Sequence, residues 1–367
     1  MDQSENHIDV NADSPSERLV MHYMAPVREL FTLPGVTSIA VNRFDQIFIR
    51  QYGEWILTQA RFENEDALRL AIEQIMHSLG QKIDRLSPVA DGRLADGSRV
   101  NAVLYPVAHR GSNMTIRLFP KVRFTIEDLL GKGAFSEEMM RIFKLAVACR
   151  YNILVSGATG SGKSTILNAL ANLTGERERI GVIEDTAELD IKRPNLVAME
   201  APKRSLTARD GSQVVTMESL LVNTLRQELS TVIVGEVRDP AAATALMLAL
   251  NTGHEGVLST IHANTPKKAL RRLINMLLSN DTRIPYEAVA TEIHDNFNLI
   301  IQCERTPQDG QRVVEVAELN EEGKLQTLFV WDYLERKHKR VYGNDSPPKL
   351  FRLAEKYGIT VGNFLKE

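Results

Sequence analysis

The nine residues GATGSGKST at positions 157–165 fit the pattern GxxxxGK[ST], and the chemistry they offer is phosphate binding. Gly157, Gly160 and Gly162 let the backbone turn tightly and aim its N–H groups at phosphate oxygens, with Ala158, Thr159 and Ser161 completing the loop. Lys163 would reach the β and γ phosphates of a nucleotide, and the Ser164 hydroxyl suits magnesium. The bland alternative is a Gly-rich turn that merely joins strand to helix. Phosphoryl chemistry also needs carboxylates near the metal and the attacking water. TVIVGEVR places Glu236 at the end of an apolar strand, which is expected to lie beside the strand that feeds the Gly-rich loop. IGVIEDTAEL offers Glu184, Asp185 and Glu188, and for the first two a capping or structural role competes with a chemical one. Two histidines, His254 and His262, stand in NTGHEGVLSTIHANT. That stretch supplies no cysteine and only Glu255 as a nearby carboxylate, which disfavours zinc. His254 follows Gly253 at an expected helix exit and suits a structural role, whereas His262 ends an apolar strand.

These side chains need a particular scaffold. NILVS precedes the Gly-rich loop and ILNALANL follows it, which is the strand, loop, helix context that phosphate binding requires. Beyond about residue 135, apolar strands (IGVIED, TVIVGE, GVLSTIH) alternate with helical stretches, two of which open at Asp239-Pro240 and Thr265-Pro266. This alternation predicts a parallel sheet covered on both faces, an α/β P-loop domain. NFNLIIQCE, QRVVEVAEL and LQTLFVW read as a hairpin meander, turning near Asp309-Gly310, that extends the sheet or packs beside it. Upstream, VTSIAVNRFDQIFIRQYGEWILTQ reads as a three-strand meander, followed by a helix with Leu68, Ile72, Ile75 and Leu79 on one face. The expected organisation is a flexible tail over 1–17, an α+β domain over 18–120, a linker over 121–135 and the P-loop domain over 136–367.

Composition narrows the classes further. A chain of 367 residues with 43% apolar and 25% charged residues is ordinary for a folded protein. A formal charge of -3 gives no overall field toward nucleic acid or anionic lipid, and no sequence-specific nucleic-acid binding is expected. The two cysteines, Cys149 and Cys303, make neither a CxxC pair nor a disulfide framework. The polar start lacks the pattern of a secretory signal, and the longest apolar run is far shorter than the roughly 20 residues a bilayer needs. A cytoplasmic protein, or one held on a membrane by partners, is the expectation. TPKKALRRLINMLL presents a basic face that leaves a lipid contact open beside the commoner solvated face. ERKHKR at 335–340 has the same two readings.

The ordered blocks GATGSGKST, IEDTAEL, VGEVR and TGHEGVLSTIHAN resemble the Walker A, Asp box, Walker B and His box of the hexameric traffic ATPases of type II and type IV secretion. VTSIAVNRFDQIFIRQYGEW, DGSRVNAVLYPV and MTIRLF resemble the N-terminal domain of the type IV secretion and conjugation branch, the VirB-eleven class. The likeness runs over roughly residues 30 to 320. It implies a RecA-like domain that hydrolyses ATP with Mg2+, in a homohexamer working with inner-membrane and cytoplasmic components of a secretion or conjugation machine. Residue by residue, it implies that Lys163, Ser164 and Thr165 serve phosphate and metal, and that Glu188 polarises the attacking water, with Glu184 a second candidate. Glu236 would hold the metal's water shell, and His262 would link γ-phosphate status to subunit movement. Arg99 and Arg117 would reach the nucleotide when the two domains close. One departure stands out: LRQELS at 225–230 replaces the usual LRMRPD, so Glu228 occupies the place of an arginine. Rival readings are a type II secretion or pilus motor, a slow-turnover nucleotide switch or scaffold, and a small-molecule kinase, whose lid and substrate elements are not found.

Overall fold

The computed structural model describes residues 15–119, 124–201, 215–280, 283–343 and 347–364. The chain divides into two compact units, Met1–Val122 and Arg123–Glu367. Residues 1–14 of the expected tail lie outside the described residues, and helix α1 (Pro15–Tyr23) begins within the span read as tail.

In the first unit, a 3-10 turn (Ala25–Phe31) follows α1 and leads to strands β1 (Val36–Arg43), β2 (Gln46–Gln51) and β3 (Glu54–Leu57). Helix α2 (Glu65–Ser78) then precedes β4 (Val89–Arg93), β5 (Arg99–Val103) and β6 (Asn113–Arg117). The six strands form one sheet in the order β3-β2-β1-β6-β5-β4. Strand alternation drives one face inward: Ile39, Val41, Ile47, Ile49, Val100, Ala102, Met114 and Ile116 are buried. They pack with Leu68, Ile72, Ile75 and Met76 of α2. Asn64 caps that helix by accepting from the Ala67 N–H at 2.9 Å.

The second unit begins with α3 (Ile126–Gly131) and α4 (Glu137–Ala148). The expected linker therefore differs from the structure where it is described. Thr125 and Asp128 form a reciprocal capping box, and Ile126, Leu129, Ala134 and Phe135 join the core. Residues 120–123 lie outside the described part.

Next come β7 (Ile153–Gly157), α5 (Lys163–Ala171), β8 (Ile180–Glu184), β9 (Leu196–Glu200) and α6 (Met217–Thr224). They are followed by β10 (Thr231–Val237), α7 (Pro240–Asn251), β11 (Leu258–Ile261), α8 (Pro266–Asn280) and α9 (Tyr286–Asn296). Strands β12 (Leu299–Thr306), β13 (Gly310–Leu319), β14 (Leu325–Asp332) and β15 (Lys337–Arg340), then helices α10 (Lys349–Lys356) and α11 (Val361–Phe364), complete the unit.

The nine strands make one sheet in the order β15-β14-β13-β12-β7-β11-β10-β8-β9. Pairing is parallel from β9 to β12 and antiparallel from β12 to β15, so the C-terminal meander extends the sheet. Successive side chains serve opposite faces. Ile153, Val155, Val182, Ile233 and Ile301 meet α4 and α5, while Leu154, Ile183, Val234 and Ile300 meet α7 and α8. Each such buried side chain contributes roughly 1.5–3 kcal/mol of hydrophobic stabilisation. Asn152 aligns three strands at their origin: its side chain donates to the Asn296 carbonyl at 2.7 Å and accepts from the Val257 N–H at 2.9 Å, and its own N–H donates to Asn298 Oδ1 at 2.9 Å.

One topological expectation is corrected. Strand β10, which carries Glu236, is not beside β7, because β11 lies between them and pairs with both. The crossover through α7 inserts the His262 strand into that gap. This rearrangement determines the site.

Candidate functional site

The loop between β7 and α5 owes its path to its glycines. A Cβ on Gly157 would collide with the Ser161 side chain and the Cys303 carbonyl. Gly162, the residue before the helix, has φ 98°, a left-handed value that costs an L side chain about 1–2 kcal/mol. Lys163 and Ser164 thereby open α5, whose first N–H groups lack intrahelical partners and face a loop of further amides.

Lys163 is buried, and its Nζ donates to the Ala158 carbonyl at 3.0 Å and lies 3.4 Å from His262 Nδ1. The other ring nitrogen of His262, Nε2, lies 2.6 Å from Glu236 Oε1. The histidine from the inserted strand thus stands between the lysine of the loop and the carboxylate of β10. Burial, and then the Lys163 charge, push the His262 pKa below its ordinary value. A lowered pKa favours the neutral ring, in which one nitrogen carries a proton and the other a lone pair. Burial also lowers Lys163, against the opposing pull of Glu236.

The chain of contacts continues. Arg238 donates through Nη2 to Glu236 at 2.8 Å and through Nη1 to Asp185, so one guanidinium holds the acids that end two strands. Glu184 is buried, and its Oε1 accepts from the N–H groups of Glu188 at 2.8 Å and Leu189 at 3.1 Å. Burial outweighs those donors and raises its pKa to about 7. Glu184 therefore shapes the turn that carries Glu188. A Cβ at Gly235 would sit 2.9 Å from Glu184 Cγ, so the glycine before Glu236 makes room for this side chain. Glu188 itself is half-buried.

Among the residues read from sequence, the structure gathers Gly157 to Thr165, Glu236 and His262 around one loop, with Glu184 ending β8 and Asp185 and Glu188 on the turn after it. Arg99 and Arg117 belong to the other unit, where they are directly paired across β5 and β6. His254 Nδ1 lies 3.1 Å from the Ala249 carbonyl and closes the end of α7. Glu228 is exposed in the turn before β10, at φ 52°. Cys149 and Cys303 are both buried thiols, raised by burial to about 11 and about 12. The basic face of α8 is solvated except that Arg272 Nη1 donates to the His262 carbonyl at 2.9 Å. The cluster ERKHKR lies along the sheet edge in ion pairs that include Arg336 with Asp309, Lys339 with Asp332 and Arg340 with Glu138.

Three residues at the site escape the sequence reading. Arg238 was visible inside VGEVR, two positions after Glu236. Arg272 resembled any other cation on its helix face. Gln311, whose Nε2 donates to the Gly160 carbonyl at 2.9 Å, carried no sequence signal at all. Gln311 also lines a cavity of about 240 Å3 with Phe124, Leu129, Ile166, Arg312 and Val313, beside the start of α5. Phe124, Leu129, Ile166 and Val313 give the cavity apolar lining, and Lys132, Asp309 and Arg312 give it polar lining.

No cluster of three His, Cys, Asp or Glu side chains among the described residues could hold a metal alone. Magnesium usually takes few protein ligands and fills its shell with phosphate and water oxygens. The hard oxygen donors of Ser164 and Glu236 fit that habit.

Residues 22–325 match the family model described as type II/IV secretion system protein. The chain belongs to that family. Among its relatives, this secretion-family chain is 31% identical over 284 residues to conjugal transfer protein TrbB of Rhizobium radiobacter, covering 77% of this chain and 83% of that one. It is 25% identical over 326 residues to type IV secretion system protein VirB11 of Bartonella quintana, covering 78% and 89%. The fold is also that of the Legionella pneumophila ATPase DotB, with a TM-score of 0.57, 21% identity and coverage of 84% and 81%. The family thus spans both units, with the RecA-like P-loop domain in the second.

Proposed function

We propose that this family member is an ATPase that energises type IV secretion or conjugative transfer. The observation that carries the reading is the Lys163–His262–Glu236 contact chain at the mouth of a P-loop. ATP would lay its phosphates against the loop amides and its base in the adjoining cavity. Lys163 would exchange the Ala158 carbonyl for phosphate oxygens, which leaves His262 with a changed neighbour and makes it the reporter of γ-phosphate status. Glu188 would polarise the water that attacks in line, giving ADP and phosphate. Glu236 and Ser164 would hold Mg2+, which when bound offsets charge on the phosphates. Arg99 and Arg117 would approach the nucleotide on domain closure, where a guanidinium stabilises charge on the transferred group. The relatives' names support conjugation and secretion as the context. A homohexamer at the cytoplasmic side of the inner membrane, held there by machine components, is part of this reading.

Steady-state ATP hydrolysis tests it. Lys163→Ala should lower kcat/KM by about 100-fold or more. Glu188→Gln should retain nucleotide affinity while turnover falls by about 100-fold or more. Parental turnover in the lysine variant would refute the site.

A further inference from the structure

The loop that would carry the phosphates is held from two sides of its strand. On one side β11 brings His262 to Lys163. On the other, the β12–β13 hairpin brings Gln311, which lines the cavity proposed for the base but takes no part in the chemical step. Its amide donates to the Gly160 carbonyl at 2.9 Å. It also lies flat over Gly162, where a Cβ would meet Gln311 Cδ and Oε1 at 3.3 Å. The N–H of the same Gly160–Ser161 peptide donates to the Ala158 carbonyl at 3.3 Å. Because a trans peptide is planar with its C=O and N–H opposed, fixing both ends fixes the direction of the whole unit. The Ala158 carbonyl is also the one that receives Lys163 Nζ. Glutamine and lysine therefore grip the same turn.

Gln311 is in turn steadied from the sheet edge. Thr306 Oγ1 accepts from the Asp309 N–H at 3.1 Å and donates to the Gly310 carbonyl at 3.2 Å, which tightens the hairpin tip. The Asp309 carboxylate accepts from Arg336 Nε at 2.8 Å and also from its Nη2. Arg336 sits on the β14–β15 turn, at whose start Asp332, the last residue of β14, accepts from the Leu334 and Glu335 N–H groups, each at 2.9 Å. This gives the basic cluster at 335–340 a structural purpose for at least one of its members.

We propose that Gln311 is a positioning residue of the nucleotide site, presetting the P-loop through the Gly160 carbonyl, and that Arg336 supports it through Asp309. The inference rests on the ATPase reading and concerns ground-state binding: a preset loop binds nucleotide more tightly without altering the chemical step.

Gln311→Met keeps length and cover over Gly162 but removes the donor. It should raise the KM for ATP and the Kd for a fluorescent ADP about five-fold, with kcat within about two-fold of parental. Arg336→Gln, which loses a partly exposed ion pair, should raise both about two-fold. In the Gln311→Met background, Arg336→Gln should add nothing, because its route to the loop is already cut. Gln311→Met with parental KM and Kd would overturn the inference, and a fall confined to kcat would do the same. Full additivity of the two substitutions would overturn the support by Arg336. A parental protein that neither binds nor hydrolyses ATP would instead remove the reading beneath it. Melting of each variant without nucleotide confirms the fold being compared.

Discussion

Glu184 shows how far a residue's surroundings can outrun its type. Its carboxylate is buried, so the folded chain keeps a proton up to about pH 7 against an ordinary value of 4.5. The unfolded chain releases that proton earlier, so the raised value stabilises the fold fully below about pH 4.5, and the gain is lost as pH rises through 7. Denaturant unfolding across this window should show the parental chain losing on the order of 3 kcal/mol relative to Glu184→Gln. Parallel curves for the two proteins would contradict this. The sequence left Glu184 between a chemical and a capping role, and its two backbone contacts show it organising the Glu188 turn. GATGSGKST was legible because its demands are local: tight turns, then a helix start. Gln311 was not, since 151 positions separate it from the carbonyl it holds.

At the scale of elements, strand and helix identity followed from local pattern, whereas strand order did not. IGVIE, TVIVGEV and LSTI are each readable as buried strands, but nothing within them says that β11 separates β7 from β10. That order comes from how the crossover helices pack. Short elements such as β9 and α10 escaped because few residues carry their periodicity. Helix α10 is held by a residue that no local pattern links to it. Glu318 on β13 is fully buried, accepts from Tyr151 Oη at 2.8 Å, and accepts from the Lys349 and Leu350 N–H groups at 2.6 and 2.8 Å. It serves as a remote cap where Pro348 offers no side-chain bond. Glu318→Ala should cost about 3 kcal/mol in unfolding free energy and speed amide exchange across α10 first. Uniform exchange, with α10 no faster than α4, would show that the cap is not what retains the helix.

At the scale of the whole molecule, the chain is two units within one family, and no described helix is long and apolar enough to cross a membrane. If the proposed ring forms, native mass measurement with ATP and Mg2+ should give a species of six chain masses, and Lys163→Ala should show whether nucleotide drives the association. A monomer under every condition would remove the ring from the reading.

The six-stranded sheet of the first unit carries a liability of another kind. One of its two edge strands, β3, reads EWIL, with Trp55, Ile56 and Leu57 all exposed and neither lysine nor proline to guard the edge. Such an edge invites lateral addition of a further strand. The strand's shortness and Glu54 limit that hazard, and Trp55, Ile56 and Leu57 are the side chains through which it would act.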